Sequence, residues 1–287
     1  MSVGQPAPAD DHLVWQGPHS DRLLLDVAEC WQYRDLLGIF VGRDLKVRYR
    51  QAVVGVLWVL VQPVVMLSVA LFFYMQVGKQ DQPPVTVGVP YAISGLCGLI
   101  LYQLFMAGVR DGANSVVLAR AMLTKIYFPR IFLPLTPVCC AAFDFLIACG
   151  LLLPLMIWHQ VLPGPRLCLL PLIVLWAIVV TAAFAIGLSA LNALYRDVSY
   201  AVPFFLQVGQ FVSPTFYETA SYGLEKSWWY GLNPMVAVID AFRWSLIPHC
   251  PPPVMSHTIA SAAVTLVLLV SSLRYFLTTE AVLADRL

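Results

Sequence analysis

Long stretches without charged residues alternate with short basic segments along this chain of 287 residues. The first uncharged stretch, residues 52–77, is long enough to cross a bilayer as a helix, which takes about 20 apolar residues. Five further apolar stretches follow it, at about 91–109, 131–158, 167–195, 198–217 and 254–273. The pattern therefore predicts an all-α integral membrane protein with six transmembrane helices, which together make up a domain over 52–287.

The pattern before the first span is that of an amphipathic helix. Apolar side chains recur there at every fourth position, at Leu37, Val41, Leu45 and Tyr49. Basic side chains such as Arg43 and Lys46 take another face. Residues 21–51 are therefore predicted to form a helix in the membrane interface, with its cations towards lipid headgroups or a protein partner. Residues 1–20, rich in Pro, Ala, Asp and Gly, are predicted to be a flexible cytoplasmic tail.

The segment between the fifth and sixth spans has a different pattern. Residues 218–253 contain apolar stretches that are too short to span a membrane and too apolar for a solvated loop. They are predicted to form re-entrant outer helices, interrupted at Asn233-Pro234. Asp240 and Arg243 lie three positions apart, so they are expected to pair on one helix face.

Composition and charge agree with a membrane protein and fix its orientation. Hydrophobic residues make up 60% of the chain and charged residues 11%, whereas about a quarter of a soluble domain is charged. With the N-terminus inside, thirteen of the seventeen Lys and Arg residues fall in cytoplasmic segments and four in outer ones. Because cytoplasmic loops carry the basic excess, both termini are predicted to be cytoplasmic. No apolar segment precedes the basic cluster, so we expect no secretory signal peptide.

Motifs for catalysis or nucleotide binding are missing from the sequence. A P-loop ends in Gly-Lys-Ser or Gly-Lys-Thr, whereas the only Gly-Lys pair, Gly78-Lys79, is followed by Gln80. Residues 187–191 lack the second glycine of a serine-hydrolase elbow, which disfavours an intramembrane protease. The seven cysteines form no C-x-x-C pair and are predicted to be small buried hydrophobes. We therefore expect no catalytic residue, metal site or cofactor in this chain, and no nucleic-acid partner.

A few polar side chains fall within or near the predicted spans. Asp144 is the carboxylate that lies deep in a span, and an intramembrane acid is a candidate for function. A local hydrogen bond inside the helix bundle explains it equally well. Four glutamines either line a hydrophilic path or hold helices together: Gln62, Gln103, Gln207 and Gln210.

The loop between the second and third spans, residues 114–134, is basic and amphipathic and contains Tyr127-Phe128-Pro129-Arg130. Charge alone would make it a solvated connection. Its aromatic pair, after which Pro129 stops a helix, would instead suit a groove on another protein.

Several segments together resemble the polysaccharide-export permeases of the ABC-transporter superfamily, which export O-antigen, teichoic acid or capsule. WQYRDLLGIFVGRDLKVRYRQAVVGVLWVLVQP, from residue 31, resembles the opening of these permeases. LTKIYFPR (123–130) resembles their coupling segment, and YRDV (195–198) resembles their second cytoplasmic turn. SPTFY (213–217), NPM (233–235) and RYFL (274–277) followed by Glu280 continue the resemblance in order, over nearly the whole chain.

The resemblance implies a half-transporter of the bacterial inner membrane. Two copies of this chain would work with two separate ATP-binding subunits, which hold the ATP and Mg²⁺. The cargo would be a polysaccharide joined to undecaprenyl pyrophosphate or another lipid. The residues implied to couple the permease to its ATPase are Leu123, Lys125, Tyr127, Phe128, Pro129, Arg130, Arg196 and Asp197.

Two further sets of side chains are candidates for contact with such a cargo. A lipid pyrophosphate needs cations at the inner interface, where Arg48 and Arg50 are the nearest. Sugars stack on aromatic rings, and aromatic side chains near span ends are Phe72, Phe73, Tyr74, Phe204, Phe211, Phe216 and Tyr217. An ordinary belt of interfacial aromatic residues would produce the same pattern.

Two other functions stay open at this point. A permease of the same superfamily that exports a lipid or drug without a glycan shares much of the pattern. The outer segment 218–253 and the N-terminal basic helix favour the glycan exporter over it. An ATP-independent channel or an enzyme acting on lipid-linked glycans is the other alternative, against which a neighbouring ATPase gene would argue.

Overall fold

The computed structural model describes residues 31–50, 55–77, 91–119, 128–248 and 250–286. Every regular element in these ranges is helical, which confirms the all-α prediction. The α-helices are α1 (Arg34–Arg50), α2 (Leu57–Val77), α3 (Tyr91–Leu118), α4 (Phe132–Cys149), α5 (Leu152–Trp158), α6 (Leu170–Leu194), α7 (Val198–Val212), α8 (Pro234–Leu246) and α9 (Met255–Arg286).

Length and composition separate these helices into two groups. Within the described ranges, four helical stretches are long and apolar enough to cross a membrane: Tyr91–Leu118, Phe132–Trp158, Pro165–Leu194 and Met255–Thr279. The described apolar parts of the two other predicted spans are shorter, Leu57–Phe72 and Val198–Val212. At 1.5 Å per residue, the 15 residues of α7 extend only about 23 Å, less than the roughly 30 Å of a bilayer core, whereas the 21 residues of α2 reach about 32 Å.

Helix α3 is the centre of the bundle. It contacts α2, α4, α6, α7 and α8, and most of its length is buried. Glycines allow its close approach to α6. A Cβ atom on Gly108 would lie 2.5 Å from Thr181 Cγ2, and one on Gly112 would lie 2.7 Å from Ala185 Cβ. Small residues of this kind let helix backbones approach closely inside membranes.

Helix α1 packs along α4 at the predicted cytoplasmic end of the bundle. The Phe40 ring meets the Phe128 ring edge to face, with centroids 5.4 Å apart. They belong to an apolar cluster from five helices and the residues before α4, which also contains Val116, Phe132, Leu133, Ile186, Ala190 and Phe276. The predicted N-terminal helix is therefore found over 34–50, while its predicted part 21–30 lies outside the described residues.

The outer segment forms an α-helix only in its second half. Residues 218–233 contain three short 3₁₀ turns, Thr219–Tyr222, Leu224–Lys226 and Trp228–Leu232. The predicted break at Asn233-Pro234 is where α8 begins. Asn233 caps the helix, because its Oδ1 accepts a hydrogen bond from the Met235 amide at 3.1 Å, and proline occupies the first helical position. Nearly all of α8 is buried against α3, α6 and α9.

Arg243 of α8 ties the outer segment to the bundle. Its side chain is 2% exposed and donates to three backbone carbonyls, those of Ser94 (3.0 Å), Tyr217 (2.8 Å) and Thr215 (3.1 Å). The predicted pairing with Asp240 is present at 3.8 Å. A buried guanidinium is costly unless its donors are satisfied, so these carbonyls fix the position of α8 on α3.

Candidate functional site

Four side chains form a charge cluster between α1, α3 and α4. Arg48 donates from Nη1 to Asp144 Oδ2 at 2.5 Å and from Nη2 to Asp111 Oδ2 at 3.1 Å. The Tyr49 hydroxyl donates to the other oxygen of Asp144. We call Arg48, Tyr49, Asp111 and Asp144 the charge cluster. One arginine of α1 thereby bridges the two helices that flank the predicted coupling segment.

The charge cluster changes the prediction for Asp144. The apolar part of α3 ends at Arg110 and Asp111, where its first charges appear. Arg48 bonds Asp144, which lies near the middle of the stretch Phe132–Trp158, to Asp111 at this edge of α3. The Asp144 carboxylate is used in local hydrogen bonds, one of the two interpretations that the sequence allowed.

Each side chain of α1 in the cluster is held in its ordinary protonation state. Burial by itself would lower the pKa of the Arg48 guanidinium, but the charges of Asp144 and Asp111 outweigh burial and raise it. Burial, followed by the hydrogen bond to Asp144, raises the pKa of the Tyr49 hydroxyl. At neutral pH the cluster therefore contains a charged arginine and a neutral tyrosine.

The two lipid-pyrophosphate candidates lie in different surroundings. Arg48 already has a carboxylate partner on each of two neighbouring helices, so an incoming phosphate would have to displace them. An arginine that is already paired with two carboxylates is therefore a poor candidate for binding the lipid pyrophosphate. Arg50, at the end of α1, is exposed.

Two cavities adjoin the charge cluster. One, of about 340 Å³, lies between α1, α2, α3 and α4 and is lined by both charged and amide side chains, among them Gln62, Gln103 and Arg110. The other, of about 360 Å³, is lined by α1, α3 and α4 and includes Asp44 and Thr136. Arg48 and Asp111 line both cavities, so the two are neighbours across the cluster.

The predicted coupling segment is described only at its end. Leu123, Lys125 and Tyr127 lie outside the described residues. The Phe128 side chain is 3% exposed and packs on Phe40, within the permease itself. This ring is therefore covered by the permease's own α1, and the anchor role of Phe128 on an ATPase stays a prediction.

Other predicted coupling residues lie nearer the surface. Pro129 and Arg130 are half-buried just before α4, while Arg196 and Asp197 are exposed in the turn between α6 and α7. Their contact with an ATPase stays a prediction.

A polar clamp that the sequence did not reveal joins the two turns that are predicted to be cytoplasmic. Asn192 Nδ2 donates to the Ala113 carbonyl at 2.9 Å and to Asn114 Oδ1 at 3.1 Å. Ser199 Oγ donates to Asn192 Oδ1 at 2.7 Å and lies 3.1 Å from Asn114 Oδ1. The clamp connects the ends of α3 and α6 with the start of α7. Polar residues are common at helix ends, so the sequence alone does not identify the clamp. The hydrogen bonds in the structure do.

The aromatic candidates on α7 share one exposed face. Phe204 and Phe211 are 62% and 64% exposed, and Phe211 stacks on Phe216 with ring centroids 5.6 Å apart. Exposed neighbours on the same helix are Tyr200 and Phe205. The opposite face is buried, where Tyr102 donates to the Leu206 carbonyl. The helix thus presents an aromatic row away from its own bundle.

The remaining aromatic candidates differ from this row. The Tyr217 hydroxyl donates to the Val212 carbonyl at 2.7 Å and lies 2.8 Å from the Tyr230 hydroxyl, which suits a structural role in the outer segment. Phe72 is exposed on α2. Two further candidate side chains lie outside those that the structure describes, Phe73 and Tyr74.

Among the described residues, no group of three or more His, Cys, Asp or Glu side chains could hold a metal ion. The side chains of the charge cluster, the polar clamp and the aromatic row offer hydrogen bonding, ion pairing and aromatic contact. A sequence model described as "ABC-2 type transporter" matches residues 35–247, well over half of the chain. The chain belongs to the ABC-2 type transporter family. The range matched by this ABC-2 family runs from α1 to the end of α8 and includes the charge cluster, the polar clamp and the outer segment.

Three relatives of this ABC-2 transporter chain are named as O-antigen export permeases. It is 31% identical over 248 residues to the O-antigen export system permease protein RfbA of Myxococcus xanthus, covering 85% of this chain and 92% of that one. Two proteins of Klebsiella pneumoniae with the same name are each 25% identical over 210 residues, covering 73% of this chain and 79% of theirs. These similarities confirm the resemblance inferred from the sequence motifs.

Proposed function

We propose that this chain is the permease subunit of an exporter that moves a lipid-linked, O-antigen-like polysaccharide outward across the bacterial inner membrane. The observation that carries the proposal is the similarity to the RfbA permease of Myxococcus xanthus, which extends over 92% of that protein. The similarity also covers 85% of this chain. No bond is made or broken in this chain, whose role is to offer the glycan a path.

The proposed topology has six crossings with both termini in the cytoplasm. Helices α2, α3, α4 with α5, α6, α7 and α9 make the crossings, and the short helix α7 is accommodated by local thinning of the bilayer. The distribution of Lys and Arg supports this orientation. Helix α8 re-enters from the outer side, and its burial against three spans supports re-entry, because such backbone is tolerated where protein covers it.

A separate ATP-binding subunit supplies the energy in this proposal. Two copies of the permease and two of the ATPase form the complex. The coupling surface comprises residues 123–130 and the turn at Arg196 and Asp197. The polar clamp supports this assignment of the coupling surface, because Asn192 contacts both α3 and α7 next to these turns. A displacement at one turn would thus be transmitted to three spans.

The proposed glycan path follows the exposed aromatic row of α7. A long polymer must slide, so several weak stacking contacts suit it better than one tight site. Phe204 and Phe211 supply such contacts, and the second copy of the chain would complete the path. Arg50 is the proposed cation for the lipid pyrophosphate.

A deletion experiment in the natural host tests the proposal. Removing the gene should abolish surface glycan on intact cells, measured with a glycan-specific antibody. Lipid-linked glycan should accumulate in membranes from the same cells, and the wild-type gene should reverse both effects. Unchanged surface glycan together with impaired export of a lipid or drug would instead favour a permease for a cargo without a glycan.

A further inference from the structure

We propose that the cavity of about 340 Å³ beside the charge cluster binds the sugars next to the lipid carrier, and that it recognises their uncharged hydroxyl groups. This inference rests on the proposed function and deepens it. It assigns a saccharide site that is separate from both the aromatic row of α7 and the pyrophosphate contact at Arg50.

The lining of the cavity matches the hydrogen-bonding pattern of a sugar. Arg48 and Arg110 donate, Asp111 and Asp144 accept, and the amides of Gln62 and Gln103 do both. Each sugar hydroxyl also donates and accepts, so planar side chains of this kind bind neighbouring hydroxyls in pairs. A volume of about 340 Å³ lies within the range of ligand sites, about 300–1,000 Å³.

The positive and negative charges in the lining balance, which favours an uncharged sugar over a phosphate as the ligand. Two arginines face two aspartates, with Arg48 bonded to both carboxylates and Arg110 bonded to Asp111 at 3.0 Å. A phosphate here would bring negative charge beside Asp111 and Asp144, and repulsion would oppose binding. Uncharged hydroxyls meet no such repulsion and gain charge-assisted hydrogen bonds.

The amides in the lining are available to a ligand. Gln62 is exposed on α2 and Gln103 is half-buried on α3. Within the part of the chain that the structure describes, neither amide hydrogen-bonds to another protein group. Polar groups at this depth are expensive in a membrane protein and are kept where a polar ligand or water meets them.

The position of the cavity fits the chemical order of a lipid-linked glycan. Arg48 and Arg110 line the cavity near the predicted cytoplasmic ends of α1 and α3, the level at which the pyrophosphate of a lipid-linked glycan would lie. The second cavity, of about 360 Å³, continues past Arg48 towards the predicted cytoplasmic ends of α3 and α4. Its polar lining, which includes Asp44, Ser115 and Thr136, suits the sugars that follow.

Binding to the purified permease–ATPase complex in nanodiscs tests the inference. Two radiolabelled probes are titrated without nucleotide: a polyprenyl pyrophosphate that carries a disaccharide, and the same lipid without sugar. The wild-type complex should bind the glycosylated lipid about tenfold more tightly, as expected for one or two net hydrogen bonds. Replacing Gln62→Ala and Gln103→Ala together should remove most of this difference and leave the affinity for the bare lipid unchanged.

Two further variants isolate the hydrogen bonds. Gln62→Met with Gln103→Met keeps the side-chain volume and should weaken binding of the glycosylated lipid as the alanine pair does. Gln32→Ala makes the same chemical change at an exposed position away from the cavity and should bind both lipids as wild type does. Association with the ATPase and a single gel-filtration peak verify the fold of each variant.

Two results would overturn the inference. Unchanged affinity of both glutamine pairs for the glycosylated lipid would mean that the cavity binds no sugar. Equal weakening for both lipids would mean that the amides contact the lipid or its phosphates. Failure of the proposed function is a different result, because it would appear as undiminished surface glycan in the deletion strain.

Discussion

At the scale of single residues, the charge cluster is built from side chains of three helices that are far apart along the chain. Asp144 and Arg48 are 96 positions apart, and only the packing of α1 along α4 brings them together. Asp240 and Arg243 were predictable because three positions bring two side chains to one helix face. The three backbone carbonyls that accept hydrogen bonds from Arg243 could not be predicted, since every residue type has a backbone carbonyl.

Two neighbouring aromatic residues should behave differently on truncation. Phe128→Ala should destabilise the permease by about 3–5 kcal/mol, because it empties a buried position beside Phe40. Tyr127→Ala should weaken association with the ATPase by about 30-fold, roughly 2 kcal/mol, as an interface anchor does. Thermal unfolding in detergent measures the first effect, and titration of the permease with its ATPase measures the second. Full ATPase affinity in Tyr127→Ala would show that this ring is no anchor.

At the scale of elements, apolar length predicted the helices well and their interruptions poorly. The predicted fifth span, 198–217, ends as a helix at Val212, because Ser213 is extended and Pro214 cannot continue the ladder. The predicted third span, 131–158, divides into α4 and α5 around Gly150. The first half of the outer segment was predicted as helical, yet its short runs between Gly223, Gly231 and Asn233 allow only 3₁₀ turns.

The contact between the outer segment and α3 depends on a glycine. A Cβ atom on Gly98 would lie 2.5 Å from the Thr215 carbonyl oxygen and 2.7 Å from Arg243 Nη2. Gly98→Ala should therefore destabilise the protein by about 1–3 kcal/mol through overpacking. Gly38→Ala is the matched control, because that position has no atom within 4 Å of the added Cβ. Thermal unfolding that is equal in the two variants would contradict the described contact.

At the scale of the whole molecule, the bundle brings together features that lie far apart in the sequence. The charge cluster joins α1 to α3 and α4, and the polar clamp joins α3 to α6 and α7. Family membership was predictable because several short motifs occur in one order along the chain. The cavities were not, because each is lined by segments that only the fold assembles.

Native cysteines report the orientation of the whole molecule. Cys168 is exposed in the 3₁₀ turn before α6, which the topology puts outside, whereas the topology puts Cys30 inside. A membrane-impermeant maleimide at pH 7 on spheroplasts should therefore label wild type and not Cys168→Ser. Cys250, also outer, should stay unlabelled, because burial raises the pKa of its thiol to about 12 and leaves almost no thiolate at this pH. Labelling that persists in Cys168→Ser and is lost in Cys30→Ser would reverse the orientation.

Transport by the reconstituted complex tests the central claim most directly. The permease and its ATPase are inserted into liposomes that contain a fluorescent lipid-linked polysaccharide, and ATP is supplied on the ATPase side. Glycan that reaches the opposite side is measured by its protection from an added glycosidase. The account predicts ATP-dependent protection that requires both subunits, with no ATP hydrolysis by the permease alone. ATP hydrolysis by a complex that leaves the glycan fully accessible would contradict it.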